Sequence, residues 1–173
     1  DGVINQDSPT YIKSAEEWIP ISGSIDAISR LHQANFRVII ASNQSGLARG
    51  YFDEAALTRM HDKMNSLVED SGGVISAIFY CPHSPDAGCS CRKPKTGLLE
   101  RAEVEFDISL AGDYFVGDSL KDLQAATSFN MKPILVRTGK GRQTEVALSK
   151  EIRDQTRIFN DLESAVTWIL NKQ

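Results

Sequence analysis

Short runs of apolar residues alternate along the chain with segments whose apolar positions recur at helical spacing. In one such segment Leu57, Met60, Met64 and Leu67 stand three or four positions apart, which is typical of one buried helix face. Continuous runs rich in β-branched and aromatic residues predict strands at 36–41, 75–80, 114–116 and 133–136, with an edge strand at 157–159. Helices are predicted at 23–35, 53–72, 97–106, 120–129, 144–148 and 162–170.

This alternation of strands and helices predicts an α/β fold: a three-layer, doubly wound, mostly parallel sheet of the Rossmann-like kind with helices on both faces. Ligands of such sheets bind at the carboxyl ends of the strands. We therefore expect a binding site in the loops that follow the predicted strands, together with the polar segment that opens the chain. No internal repeat or low-complexity linker interrupts the pattern.

Length and charge narrow the classes of function. A chain of 173 residues fits a single domain spanning residues 1–173. The net charge of −4 and the lack of a dense Lys/Arg run argue against nucleic acid or an anionic membrane as a partner. No apolar stretch is long enough to span a bilayer and no signal peptide is recognisable, so we expect a cytoplasmic protein, and one that acts as a monomer.

The strand-end loops carry groups suited to phosphate and metal chemistry. Asp118 ends one strand and Asp122 follows on the next helix, although an N-cap and a favourable helix-dipole charge would explain the same pair. The loop 42–45, Ser-Asn-Gln-Ser, offers hydrogen-bond donors for phosphate oxygens, yet such a turn needs no ligand. Arg92 and Lys93 could stabilise a phosphoryl group, or form a solvated basic pair.

A further strand-end loop, Arg137-Thr138-Gly139-Lys140-Gly141-Arg142, is basic and rich in glycine. It could attract a second phosphate group. A flexible basic turn is the interpretation we favour from sequence, because glycine-rich turns commonly end strands.

All three cysteines of the chain lie close together, beside one of its three histidines. The pairs Cys81-Pro-His83 and Cys89-Ser-Cys91 supply thiolates and an imidazole, the ligands of a closed tetrahedral structural zinc site. Disulfides are a poor alternative, since three cysteines cannot all pair and a bridge between Cys89 and Cys91 would be strained. We therefore predict a zinc loop at 81–91 that fixes the chain just before Arg92 and Lys93.

Taken together, the order Asp1, Ser42, Lys93, Asp118 resembles the four ordered motifs of the haloacid dehalogenase superfamily. In that superfamily an Asp-x-Asp pair opens the first motif, and Asp1, followed by Gly-Val-Ile-Asn, resembles the second Asp of the pair. The resemblance implies that the first Asp, the nucleophile, lies two residues before Asp1. It also leads us to expect a first strand upstream of the printed sequence.

The resemblance implies a role for each motif. The nucleophile would form an aspartyl-phosphate, while Asp1 acts as general acid and then general base. Ser42 and Lys93 would complete the catalytic set by binding the phosphoryl oxygens. Mg²⁺ would be held by Asp118 and by the backbone of Asp1 and of Ser119, and Asp122 would orient its neighbours.

Within the superfamily, the stretches Ser-Asn-Gln-Ser-Gly-Leu-Ala-Arg-Gly-Tyr-Phe (42–52) and Cys-Arg-Lys-Pro-Lys-Thr-Gly (91–97) resemble the capless histidinol-phosphate/heptose-bisphosphate phosphatase group. The implied reaction is Mg²⁺-dependent removal of the 7-phosphate of a heptose 1,7-bisphosphate, a step of lipopolysaccharide-core synthesis. Histidinol-phosphate hydrolysis is the alternative, and a non-catalytic zinc-stabilised binding module is a third. The residues implied to contact the sugar bisphosphate are Asn5, Asp7, Tyr11, Ser42, Asn43, Gln44, Ser45, Arg92 and Lys93.

Overall fold

The computed structural model describes residues 1–172 and contains five strands and seven α-helices within them. The strands are β1 (Ile39–Asn43), β2 (Ala77–Cys81), β3 (Tyr114–Gly117), β4 (Lys132–Val136) and β5 (Arg157–Phe159). The helices are α1 (Ser24–Gln33), α2 (Glu54–Asp70), α3 (Gly97–Phe106), α4 (Leu120–Ser128), α5 (Gly141–Ala147), α6 (Lys150–Gln155) and α7 (Leu162–Leu170). A short 3-10 helix, Pro85–Ala87, lies between β2 and α3.

The five strands pair in parallel, which confirms the predicted α/β class, and a single antiparallel bridge outside them joins Asn5 to Pro20 within the described residues. The strand β1 pairs with β2, with Ile39 opposite Ala77 and Asn43 opposite Cys81. A separate sheet has the order β3-β4-β5. Within residues 1–172, β1 and β3 each have a single pairing partner. Both strands line one large cavity of about 1090 Å³ that runs along their length and includes the loops at their carboxyl ends.

Helices pack on both faces of the sheets, as the doubly wound arrangement requires. On one face α3 and α4 bury Leu98, Leu99, Ala125 and Ala126 against Phe79 and other strand residues. On the opposite face α1 and α7 bury Ile28, Leu162 and Val166 beside Val68 of α2. Neighbouring residues of β3 point to opposite faces of the sheet, because side chains alternate along a strand. Phe115 packs with the α3 and α4 side, and Val116 packs with the α1 and α7 side.

Local sequence signals explain where the helices begin. Asp53 precedes α2 in an extended conformation, and its carboxylate accepts a hydrogen bond from the backbone N–H of Ala56 at 2.7 Å, as expected of an N-cap. Asp161 caps α7 in the same way, through the N–H of Ser164 at 2.8 Å. Among residues 1–172, no helix is both long enough and apolar enough to cross a bilayer.

The two largest differences between predicted and observed elements concern β1 and the helix predicted at 144–148. The first strand begins at Ile39 rather than at residue 36, because Asn35 has a positive φ of 64° and Phe36 still donates its N–H to Leu31 of α1. The predicted short helix at 144–148 is instead two helices, α5 and α6. Ser149 starts the second of them by accepting a hydrogen bond from the N–H of Ile152.

Candidate active site

Asp118 stands at the carboxyl end of β3, and its carboxylate is enclosed by two glycines. A Cβ atom placed on Gly2 or on Gly139 would lie 2.1 or 2.3 Å from its Oδ2, so neither position can hold a side chain without displacing Asp118. The same Oδ2 accepts a hydrogen bond from the backbone N–H of Lys140 at 2.8 Å. Thr144 donates its hydroxyl to the Asp118 carbonyl at 2.9 Å.

This carboxylate is suited to a cation. Burial raises the pKa of Asp118, and the nearby Asp122 carboxylate raises it further, against the opposing hydrogen bond from Lys140. No hydrogen bond within residues 1–172 reaches its Oδ1, while the residue lines the cavity. A hard divalent cation prefers oxygen ligands of this kind and would relieve the cost of keeping the charged form buried.

Asp1 lies at the same cavity, and a buried amide orients its carboxylate. Asn5, only 3% exposed, donates its Nδ2–H to Asp1 Oδ1 at 2.8 Å and to the Gln6 carbonyl at 3.0 Å. Sequence reasoning had implied a substrate contact for Asn5. In the structure this side chain contacts Asp1, and Asn5 is not among the residues that line the cavity, so a substrate contact of Asn5 stays a prediction.

Lys93 is held in one position by a set of short contacts. Its ammonium group lies 2.6 Å from Asp122 Oδ1 and donates to the Ala41 carbonyl at 2.7 Å. Burial alone would raise the pKa of Asp122, but Lys93 and the hydrogen bonds from Ser119 outweigh burial and hold this pKa below its usual value. Asp122 therefore orients Lys93 as an ionised carboxylate.

The side chain of Asn43 is occupied by the backbone of Lys93. Its Nδ2–H donates to the Lys93 carbonyl at 3.1 Å, and its Oδ1 accepts the Lys93 N–H at 3.0 Å. Gln44 donates its Nε2–H to the hydroxyl of Ser42 at 2.9 Å. The Asn43 side chain thus connects β1 to the segment after the cysteines, and the implied contacts of Asn43 and Gln44 with substrate stay predictions.

Asp7 and Tyr11 also lie at the cavity, on the segment that follows Asn5. Asp7 Oδ2 is 3.0 Å from the ammonium of Lys140. Desolvation would lower the pKa of Lys140, but the hydrogen bond and charge of Asp7 raise it above its usual value. Tyr11 has a positive φ of 67°, and its ring stacks against Tyr51 with a centroid separation of 4.8 Å.

The cavity brings together nearly all the residues that the motifs single out. Ser119 donates its hydroxyl to Asp122 Oδ2 at 2.7 Å and its N–H to the same oxygen at 3.0 Å. Arg92 donates Nη1–H to the His83 carbonyl at 3.4 Å. The predicted site residues that line the cavity are Asp1, Asp7, Tyr11, Ser42, Asn43, Gln44, Ser45, Arg92, Lys93, Asp118 and Ser119.

The loop between β4 and α5, residues 137–140, holds positions outside the four motifs. Thr138 donates its hydroxyl to the Gly2 carbonyl at 2.6 Å, and Lys140 reaches both Asp118 and Asp7. The basic turn is therefore anchored to the site at several points. Its position at a strand end, its basic residues and its glycines were the signals available in the sequence, and they did not reveal these long-range contacts.

Cys81, His83, Cys89 and Cys91 converge at the end of β2, with all four potential ligand atoms within 4.8 Å of one another. The sulfur of Cys81 lies 3.6 Å from that of Cys89 and 3.6 Å from Nδ1 of His83, whose Nδ1 lies 3.3 Å from the Cys91 sulfur. Tetrahedral zinc with bonds of about 2.3 Å to sulfur places sulfurs about 3.8 Å apart. The cluster thus has the chemistry and size of a closed metal site, and its cysteines are not joined as disulfides.

The shifted pKa values of two of these thiols are also consistent with a cation bound among them. Desolvation opposes ionisation of Cys89, but hydrogen bonds from Cys91, the Arg92 backbone, Cys81 and His83 lower its pKa to about 7. Desolvation and the adjacent thiols raise the pKa of Cys91 to about 12. Without a positive charge among them the sulfurs cannot all be thiolates at neutral pH, and a bound metal supplies that charge.

Comparison with known proteins gives relatives of the family that the sequence motifs resemble. Residues 90–165 match the HAD-hydrolase-like family. The chain is 50% identical over 170 residues, covering 98% of this chain and 94% of the relative, to the D-glycero-beta-D-manno-heptose-1,7-bisphosphate 7-phosphatase of Pseudomonas aeruginosa. It is 48% identical over 172 residues, 99% of this chain and 95% of the relative, to the protein of that name from Bordetella bronchiseptica.

Solved structures agree with these relatives. The D,D-heptose 1,7-bisphosphate phosphatase of B. bronchiseptica, complexed with magnesium and phosphate, superposes with a TM-score of 0.95 at 48% identity, covering 100% of this chain and 96% of that one. The D,D-heptose 1,7-bisphosphate phosphatase of Burkholderia thailandensis gives a TM-score of 0.74 at 38% identity, covering 98% and 94%.

Proposed function

Because the chain belongs to the D-glycero-beta-D-manno-heptose-1,7-bisphosphate 7-phosphatase family of haloacid-dehalogenase-like hydrolases, we propose that it removes the 7-phosphate of D-glycero-D-manno-heptose 1,7-bisphosphate with Mg²⁺. The observation that carries the proposal is the convergence of Asp1, Ser42, Lys93 and Asp118 on one cavity at the carboxyl ends of parallel strands. These four residues come from well-separated parts of the sequence.

Lys93 and Ser42 have the chemistry to hold the reacting phosphoryl group. The ammonium of Lys93, fixed by Asp122 and the Ala41 carbonyl, would stabilise the charge that gathers on the phosphoryl oxygens in the transition state. Asp118 and the backbone of Asp1 and Ser119 would hold Mg²⁺. When bound there, Mg²⁺ supplies positive charge that favours approach of an anionic nucleophile to phosphorus.

Asp1 is proposed to move the protons. It would give a proton to the sugar oxygen as the phosphorus–oxygen bond breaks, and later take one from the water that releases phosphate. Asn5 supports this role, because its amide at 2.8 Å fixes one carboxylate oxygen and leaves the other available to substrate. Asn5 is thus a positioning residue in this proposal.

The nucleophile in this proposal is a carboxylate two residues before Asp1, which attacks phosphorus to give an aspartyl-phosphate while the sugar oxygen leaves. The separation of the two sheets supports that placement. The cavity runs between β1 and β3 and is lined by apolar residues of both, including Ile39, Ala41, Phe115 and Val116. An added parallel strand would satisfy the backbone hydrogen bonds of both edges and carry the nucleophile to Asp118.

Zinc is proposed for the second metal site, with Cys81, His83, Cys89 and Cys91 as its ligands. The proposed role is structural: four protein ligands leave no open position for substrate. Lys95 supports the same loop by donating to the carbonyls of Gly88 and Cys89 at 2.9 and 2.8 Å. A bound zinc would therefore fix the conformation of the backbone that leads to Arg92 and Lys93.

The test is to supply the full natural chain with heptose 1,7-bisphosphate and Mg²⁺ and to follow the reaction by ³¹P NMR. Loss of the 7-phosphate signal, with the 1-phosphate retained, is the expected result. Histidinol phosphate is assayed in parallel. D118N is the matched control, because it removes the metal-binding charge with little change in size, and it should reduce turnover at least a hundredfold.

Each other outcome changes the proposal in a defined way. A higher kcat/KM on histidinol phosphate would keep the chemistry and replace the substrate. Phosphate release that is unaffected by EDTA or by D118N would contradict the metal-dependent mechanism. Failure of the full chain to act on either substrate would favour a zinc-stabilised binding module.

A further inference from the structure

We infer that Lys140 is a specificity-determining residue whose ammonium binds the second, unreacted phosphate of a bisphosphate substrate. This inference rests on the proposed function, and it assigns a role to a residue outside the four motifs. Lys140 lies on the loop between β4 and α5, lines the active-site cavity and is 62% exposed through its side chain.

The position of Lys140 relative to the reacting centre is set by its backbone. Its N–H donates to Asp118 Oδ2 at 2.8 Å, so the α-carbon lies beside the proposed metal site. Its side chain, a flexible four-carbon stem, then extends to Asp7 Oδ2 at 3.0 Å. The ammonium is therefore held by the N-terminal segment at the cavity, while the backbone of the same residue contacts Asp118.

Two other cations of the neighbouring segments, Lys93 and Arg137, already have partners within the protein. Lys93 is buried and bonded to Asp122 and to the Ala41 carbonyl. Arg137 pairs with Glu145 through both Nε and Nη2, at 2.6 and 2.9 Å. An ammonium has three donors, so Lys140 can keep its contact with Asp7 and still donate to a phosphate oxygen.

Asp7 explains why the ammonium is held at the cavity when no second phosphate is present. Asp7 is only 19% exposed, and its charge keeps the long lysine side chain in one orientation. An unpaired carboxylate there would repel a bisphosphate, whereas the ion pair presents N–H donors to it. Asp7 is therefore a positioning residue for Lys140.

The loop itself is anchored independently of this side chain. Thr138 bonds to the Gly2 carbonyl, and Thr144 bonds to the Asp118 carbonyl. Removal of the ammonium therefore leaves the backbone contact to Asp118 in place. This separation allows K140M to test the side chain alone.

The experiment measures kcat/KM of the full natural chain on heptose 1,7-bisphosphate and on p-nitrophenyl phosphate, which has no second phosphate. K140M should lower the ratio of the two constants by about tenfold to a hundredfold, mainly through KM for the bisphosphate, as expected for loss of a charge-assisted hydrogen bond. K140R keeps the charge and should recover most of the ratio. K121M is the matched control: Lys121 is an exposed lysine that lines the same cavity.

An equal loss on both substrates in K140M would overturn the inference, because it would mean that Lys140 acts through Asp118. The inference would also be overturned if K140M left the ratio of the two kcat/KM values unchanged, or if K121M changed this ratio more than K140M did. Failure of the proposed function is distinguishable, since it appears in the unaltered protein as hydrolysis of p-nitrophenyl phosphate without hydrolysis of the bisphosphate. That result would remove the basis of the inference as well.

Discussion

The ammonium of Lys93 lies 2.6 Å from Oδ1 of Asp122, and the two side chains are only 12% and 8% exposed. Breaking such a pair leaves a buried charge with little compensation. We predict that D122N lowers the free energy of unfolding by about 3 kcal/mol and lowers kcat, because Lys93 loses its orientation. Urea denaturation and steady-state kinetics check the two effects. A stable D122N protein with unaltered kcat would contradict the orienting role.

The same pair predicts a pH dependence of stability. The folded-state pKa of Asp122 lies below the ordinary value of 3.8. Its stabilising contribution is therefore complete above about pH 4 and disappears as the pH falls through the lower, folded-state pKa. The difference in unfolding free energy between unaltered protein and D122N should be greatest at pH 5–7 and shrink towards pH 3. A difference that stays constant over this range would exclude Asp122 as its source.

Asn5 should affect turnover more than binding. N5A removes the donor at 2.8 Å from Asp1 Oδ1, so the carboxylate loses its fixed orientation. We expect kcat to fall about tenfold or more, as for other lost orienting contacts near a reacting group, with KM changed less than threefold. A rise in KM at constant kcat would instead show that Asn5 contacts substrate.

Substitution of the cluster histidine should remove the second metal. We expect the unaltered protein to carry one zinc per chain and H83N to carry none, measured by plasma mass spectrometry after dialysis, and we expect H83N to lower Tm by several degrees. H32N is the matched control, because His32 lies exposed at the end of α1. Retention of one zinc per chain by H83N would show that the four-ligand assignment is wrong.

We predict that the proposed metal site requires glycine at position 139, because a side chain there would displace Asp118. A Cβ there would lie 2.3 Å from Asp118 Oδ2 and 2.5 Å from the Gly2 α-carbon. G139A should weaken Mg²⁺ activation at least tenfold by displacing Asp118. G50A is the matched control, since Gly50 has a similar positive φ of 69° but no atom within 4 Å of an added Cβ. It isolates the backbone strain of about 1 kcal/mol, and equal effects of the two changes would contradict the steric argument.

Local patterns were sufficient to locate most elements of the fold. The helix Gly97–Phe106, the helix Leu162–Leu170 and the edge strand Arg157–Phe159 have the predicted bounds, because caps and periodicity are local properties. The start of β1 was wrong by three residues. Hydrophobic residues after Asn35 favour a strand, but the ladder forms only where β2 runs alongside.

The meeting of Lys93 and Asp118 at one cavity could be predicted, because both lie in loops that follow parallel strands. Contacts between distant loops could not be predicted. Lys140 is 22 residues from Asp118 and much further from Asp7, and no periodicity links such positions. Asn5 could be recognised as a site residue, but only the folded arrangement distinguishes a ligand for substrate from a partner of Asp1.

Two contacts of the N-terminal segment 7–11 differ in the kind of interaction that stabilises them. Tyr11 meets Tyr51 through aromatic rings, whereas Asp7 meets Lys140 through opposite charges with the lysine largely in solvent. Dissolved salt screens an exposed ion pair and leaves an apolar contact nearly unaffected. The ionic composition of the surrounding solution therefore acts on the contact between Asp7 and Lys140 and leaves the contact between Tyr11 and Tyr51 nearly unchanged.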